Sequence, residues 1–114
     1  MSQLEFKAED QGGARRLAVL GEITIYTAAE FRGRLLAELK SVPRRLDLDL
    51  TDAREFDSAA VQVLLFAQRE ATREQRELQV CSASPAVTDL MTLYGLTASL
   101  PAAELKAPTE RVEP

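Results

Sequence analysis

Apolar and charged residues alternate at the start of the chain: Leu4, Phe6 and Ala8 are interleaved with Glu5, Lys7 and Glu9. A period of two predicts a strand with one wet face. Asp10-Gln11-Gly12-Gly13 is a turn signal, and Arg15 to Leu20 reads as a second strand, hairpin-paired with the first and ended by Gly21. The segment Glu22 to Tyr26 reads as a loop of unusual apolar weight. Thr27-Ala28-Ala29-Glu30 has the spacing of a capping box, opening a helix to about Lys40. Its apolar stripe is Phe31, Leu35, Leu36 and Leu39; Arg32, Arg34 and Glu38 are expected to face water, Gly33 is a mild defect, and Pro43 marks the exit.

Leu46, Leu48 and Leu50 alternate with Asp47 and Asp49 and predict a third strand. After a short loop, Ser58 is expected to cap a helix to about Arg76, burying Ala60, Val61, Leu64, Leu65, Ala67 and Ala71. Leu78 and Val80 alternate with Gln79 and Cys81 in a fourth strand. Ser84-Pro85 predicts a cap followed by proline at the first helical position. The third helix carries Val87, Leu90, Met91 and Tyr94, with Gly95 as its stop; Leu96 and Leu100 are expected to pack back. From Pro101 apolar weight falls away, so residues 1–100 are expected to form one domain and 101–114 a flexible tail.

The order β-β-α-β-α-β-α predicts an α/β fold: a two-layer, mixed, open sheet of four to five strands with three or more helices. Sheets covered on both faces show near-continuous apolar runs. Here three strands alternate, so the helices are expected mainly on one face. The other face would carry Glu5, Lys7, Asp47, Asp49 and Gln79. Right-handed crossovers bring the helix N-termini to one edge.

Composition narrows the chemistry. The chain has 114 residues, 46% hydrophobic and 28% charged, enough for a core without metal or disulfide. Its net charge of −4 argues against nucleic acid. The single cysteine, Cys81, excludes an internal disulfide and fits a reducing cytoplasm. No apolar run approaches the roughly 18 residues of a membrane span, and no signal-peptide pattern opens the chain. No cofactor is expected: there is no glycine-rich phosphate loop and no Cys/His metal spacing.

Ser58 is the leading candidate site. A hydroxyl at a helix N-terminus sits where backbone N–H groups and the helix dipole favour a phosphate. The plain alternative is that Ser58 is only a cap. It is a poor nucleophile candidate, because the chain contains no histidine to act as base and no Gly-x-Ser-x-Gly elbow. Asp49, Asp52, Glu55 and Asp57 cluster nearby without the spacing of a calcium loop; capping, solvation or a weak magnesium site would explain them. Ile25 and Tyr26 would form a partner patch if exposed, or a hydrophobic staple if tucked under the first helix. Val63 and Phe66 fall off the assigned stripe, so either they form an exposed patch or the helix phase differs by a fraction of a turn. Cys81 has no basic neighbour in sequence and is assigned no chemistry.

Three segments in order resemble the STAS domain family: Gly21 to Phe31, Leu46 to Val61 with Asp57-Ser58 opening a helix, and Pro85 to Leu96. Together they span roughly residues 3 to 100. The resemblance is to stand-alone bacterial anti-sigma factor antagonists, and a run from Thr24 to Glu30 is also similar to members associated with chemotaxis. It implies a non-enzymatic regulator in which Ser58 is phosphorylated by a GHKL-type switch kinase that binds the unphosphorylated form. The expected partner surface is Glu22, Thr24, Ile25, Tyr26, Asp57, Ser58, Ala59, Gln62, Val63 and Phe66. A weak homodimer is compatible with this reading. Two departures stand out: Ala59-Ala60-Val61-Gln62 replaces a glycine-containing run, stiffening the segment, and Thr24 replaces an acidic residue. The alternative is a constitutive adaptor on a lipid-transport ABC ATPase or a chemoreceptor-linked complex, with Ser58 only a cap.

Overall fold

A computed structural model describes residues 3–42 and 44–96. The expectations for Pro43, Leu100 and the 101–114 tail lie outside the described residues. Eight elements follow one another: β1 Glu5–Gln11, β2 Ala14–Ile23, α1 Ala28–Ser41, β3 Arg45–Leu50, β4 Ala53–Phe56, α2 Ser58–Arg73, β5 Glu77–Ala83 and α3 Pro85–Leu93. The fold is α/β, with a mixed five-stranded open sheet. The strand order is β1-β2-β3-β5, and β4 pairs with β2. The β1–β2 pair is antiparallel; the other pairings are parallel.

The expected hairpin forms around Gly12-Gly13 alone, with Gly12 at φ 68°, so Asp10 and Gln11 belong to β1. Leu4 is buried just ahead of the strand, but Ala8 is exposed, because β1 is an edge strand.

Gly21 does not end the second strand. The strand runs on to Ile23 through a register shift at Gly21-Glu22, where the backbone takes φ 123°. That irregularity lets one strand pair with β3 along its first half and with β4 along its last three residues. A Cβ on residue 21 would lie 3.3 Å from the Gln3 carbonyl and the Leu4 side chain, in a conformation that favours glycine. Gly33 differs: it is exposed in mid-helix with open space around it. Gly21→Ala is expected to cost about 1–3 kcal/mol, whereas Gly33→Ala adds about 0.5–1 kcal/mol. Urea unfolding of the two variants checks the opposite signs.

One core joins all three helices to the sheet. Phe31, Leu35 and Leu39 of α1, Val61, Leu64 and Ala67 of α2, and Val87 and Met91 of α3 pack with Leu17, Val19, Leu46, Leu48, Leu50, Leu78 and Val80. Alternation in β2, β3 and β5 thus places their apolar side chains on the helix-covered face. The opposite face is less wet than the charges suggest. Asp47 is buried: Arg45 Nε stands 2.8 Å from it, and Gln79 Nε2 donates to it at 3.1 Å. Asp49 accepts from Arg16 Nη2 at 2.7 Å and from the Thr51 hydroxyl and amide. Aligned strand register brings Arg16, Asp47 and Gln79 into one row, and neighbouring long side chains shield the carboxylates.

Glu38 also departs from expectation. It is buried, not solvent-facing, and holds Arg15 Nη1 and Arg34 Nε, each at 2.8 Å. No helix among the described residues is long and apolar enough to cross a membrane.

Candidate functional site

The site is built where β2 and β4 both end and α1 and α2 both begin. The Asp57 amide donates to the Ile23 carbonyl at 3.2 Å, closing the two strand ends against each other. The Asp57 carboxylate then does three jobs. Its Oδ1 accepts from the Ala59 and Ala60 amides at 3.0 and 3.2 Å, and its Oδ2 accepts from the Ile25 amide at 2.9 Å. One side chain therefore caps α2 and fixes the loop before α1.

This corrects the assignment of Ser58 as the cap. Asp57 takes that position with extended backbone angles, and Ser58 is the first helical residue. Ser58 is exposed, and its hydroxyl makes no hydrogen bond among the described residues. It is presented to solvent without a structural task of its own.

Thr27 shows a second departure. It precedes α1 but makes no side-chain cap bond. Its buried hydroxyl donates to the Glu22 carbonyl at 2.8 Å and accepts from the Thr24 amide at 2.9 Å. Glu30, expected to complete the box, accepts from the Gln3 amide at 3.3 Å. Thr27 thus tightens the 22–27 turn from inside. Ser84 behaves as expected at α3: its oxygen accepts from the Val87 amide at 3.4 Å, and its hydroxyl donates to the Ala53 carbonyl at 2.7 Å.

The turn holds its tip outward. Ile23 is fully buried, whereas Ile25 is 68% and Tyr26 93% exposed. Neither is a staple beneath α1; together they form an apolar lip beside Ser58. Thr24 Oγ1 accepts from the Tyr26 amide at 3.2 Å. Glu22 is exposed, with Arg54 at 3.8 Å, a surface pair of little energetic weight.

Along α2 the expected stripe is slightly out of phase. Val63 is buried at 7% exposure and Leu65 is only half-buried. Phe66 is half-buried, with the guanidinium carbons of Arg32 and Arg69 lying 4.7 and 6.0 Å from its ring centroid. Val63 therefore belongs to the core, not to a partner surface. Gln62 is exposed, and Ala59 is half-buried. The helix ends at Arg73, not Arg76, and Gln75 turns the chain at φ 61°.

The acidic residues do not converge. Asp49 is held by Arg16 and Thr51, while Asp57 is spent on backbone amides. No group of His, Cys, Asp or Glu among the described residues could hold a metal ion. Cys81 sits exposed where β5 shifts register against β3. Desolvation raises its thiol pKa against the pull of Arg16, a basic neighbour that only strand pairing supplies.

Residues that local pattern missed are β4 itself and the cations over Phe66. Ala53-Arg54-Glu55-Phe56 buries its two apolar ends and exposes the two charged residues between them, a pattern without period-two alternation over only four residues, which gives little periodic signal.

Residues 6–102 match the family model described as "Mlab, STAS domain". No curated protein matches the sequence. Among solved structures, an anti-sigma factor antagonist from Mycobacterium paratuberculosis superposes with TM-score 0.72 at 22% identity, covering 92% of this chain and 83% of its own. Unphosphorylated SpoIIAA, also an anti-sigma factor antagonist, gives 0.68 at 15%, with coverage of 96% and 100%. The Bacillus cell fate determinant SpoIIAA in its phosphorylated form gives 0.61 at 15%, with coverage of 90% and 98%. At these identities the likeness is one of fold.

Proposed function

This chain belongs to the STAS domain family, and on that premise we propose that it is a cytoplasmic, non-enzymatic regulator whose partner binding is switched by phosphorylation of Ser58. The observation that carries this reading is the state of Ser58. It is exposed at the start of a sixteen-residue helix, its hydroxyl is unengaged among the described residues, and Asp57 already performs the capping. A phosphate there adds about −1.5 to −2 charge. It gains from the helix N-terminus but stands beside the Asp57 carboxylate and the apolar lip of Ile25 and Tyr26. A partner packed on that lip would have to accommodate two adjacent negative groups, which dismantles a close interface.

The similarity to SpoIIAA in unphosphorylated and phosphorylated forms supports the same chemistry for this fold. The kinase that acts on Ser58 is proposed to be of the GHKL type. Its footprint comprises Glu22, Thr24, Ile25, Tyr26, Asp57, Ser58, Ala59 and Gln62, with Phe66 at its margin.

A second reading rests on the lip itself: two large side chains held in solvent suit a permanent partner, with the chain as an adaptor subunit. An adaptor of this kind does not need Ser58 as a cap, since Asp57 holds that position.

A pull-down from source cells with wild-type, Ser58→Ala and Ser58→Asp baits separates the two. The switch predicts that wild type and Ser58→Ala retain a kinase-like partner, while Ser58→Asp loses it by at least about tenfold, the size of a typical coupling. One complex recovered equally by all three baits supports the adaptor and removes the switch.

A further inference from the structure

Seven of the ten arginines among the described residues are matched to carboxylates. Arg15, Arg16, Arg34, Arg45, Arg54, Arg73 and Arg76 each form an ion pair. Arg32, Arg44 and Arg69 have no carboxylate partner among the described residues. Two of these three, Arg32 from α1 and Arg69 from α2, approach the same ring, Phe66. Two like charges are thus gathered on one aromatic side chain at the junction of two helices, on a chain whose net charge is −4. The nearby acids are committed elsewhere: Glu70 pairs with Arg73, and Glu30 accepts from the Gln3 amide.

We propose that Arg32, Arg69 and Phe66 form a docking point for a carboxylate-bearing segment of a protein partner. The ring attracts each guanidinium through its face, and a guanidinium's N–H donors suit a planar carboxylate. The surroundings also suit a side chain with apolar neighbours. Phe66 is half-buried, as is Leu36, one turn beyond Arg32 on α1, while Gly33 and Ala37 are exposed and small. A carboxylate docked there would meet guanidinium groups that have no acidic partner among the described residues, with aliphatic neighbours against the half-buried ring.

The docking point lies on the exposed stripe of α2 that begins at Ser58 and passes Gln62. Eleven residues make about three helical turns, so Arg69 sits nearly in line with Ser58, about 16 Å along the axis. That separation is roughly twice the Debye length of about 8 Å at physiological salt. The charge on Ser58 is therefore largely screened from Arg69, and the docking point does not require Ser58 to be phosphorylated.

The test is an NMR titration of full-length, 15N-labelled protein, following the arginine Nε–H resonances. The probe is a blocked peptide Leu-Glu-Glu-Leu; its Gln-for-Glu counterpart and inorganic phosphate are the comparisons. The expected result is a saturable shift of the Arg32 and Arg69 signals with the Glu peptide alone. Affinity should fall about tenfold in the double variant Arg32→Gln/Arg69→Gln, as two exposed ion pairs are removed. It should be unchanged in Arg44→Gln and in Ser58→Asp. No binding, equal shifts with the Gln peptide, equal shifts with phosphate, or an unaffected double variant would each overturn the proposal. Loss of binding in Ser58→Asp would overturn its independence from the switch.

Discussion

Asp57→Ala is expected to lower the stability of the fold by about 2–3 kcal/mol, far more than Ser58→Ala, which stays within about 0.5 kcal/mol. Loss of an N-cap acceptor alone costs about 1 kcal/mol. Asp57 also accepts from Ile25, so three backbone amides lose a charged acceptor when it is removed. Hydrogen bonds to charged groups are worth about 1.5–3 kcal/mol each, but these amides are near the surface and regain part of that from water. A cap assigned to Ser58 would reverse the order of the two variants. Urea unfolding decides the matter: Asp57→Ala should shift the midpoint down by on the order of 1 M, with Asp57→Asn in between. A functional loss should accompany the loss of stability, because Ile25 and Tyr26 are released together with the cap. A variant pair in which Ser58→Ala is the more damaging would return Ser58 to a structural role and weaken the phospho-switch.

Asp and Ser are both strong capping residues, and here they are adjacent. Which of them takes the extended backbone angles is set by the Asp57 amide bonding to Ile23 across the end of β4, a contact 34 residues apart that no local pattern encodes. The same cause runs through the other departures. Thr27-Ala28-Ala29-Glu30 marks the helix start correctly, yet Thr27 turns inward to the 22–24 backbone and Glu30 reaches Gln3. Glu38 carries charge and so reads as solvent-facing; only the β1–β2 hairpin brings Arg15 above it. Periodicity fared better where it was long. The strands around Leu17, Leu48 and Val80 and the faces of Phe31–Leu39 and Val61–Ala71 lie where alternation and helical spacing put them. Phase was the weak point in α2, where Val63 is buried, although small residues at 59, 60, 67 and 71 leave the stripe poorly defined. Of the candidate site, the Asp57-Ser58 junction and the 22–26 loop were legible, but the choice between an exposed tip and a staple for Ile25 and Tyr26 was settled only by the fold. The hydrogen bonds that join the junction to the loop were not legible.

Acid is expected to destabilise this fold through two carboxylates outside the candidate site, Glu38 and Asp49. Burial raises the pKa of Glu38, but hydrogen bonds from Arg15 and Arg34 and their charges overcome that and hold it below the ordinary glutamate range. Asp49 follows the same balance: burial raises it, while the Thr51 hydroxyl and amide and the Arg16 guanidinium bring it below its ordinary value. A carboxyl whose folded-state pKa is depressed binds its proton more readily in the unfolded chain. Its stabilisation is therefore fully present above the unfolded value, about 4.3 for glutamate and 3.9 for aspartate, and is lost as pH falls through the folded value. Stability measured by urea unfolding should accordingly be flat in these groups' contribution from pH 7 to about 5, then decline steeply towards acid. Glu38→Gln should flatten that decline while costing about 1–2 kcal/mol at neutral pH, because Arg15 and Arg34 are partly exposed and recover water when the charge is gone. Asp49→Asn should flatten it further and nearly additively, since Arg16 and Arg15 serve different carboxylates on opposite faces of the sheet. An acid slope unchanged in Glu38→Gln would show that the buried carboxylate is not held ionised by its two arginines.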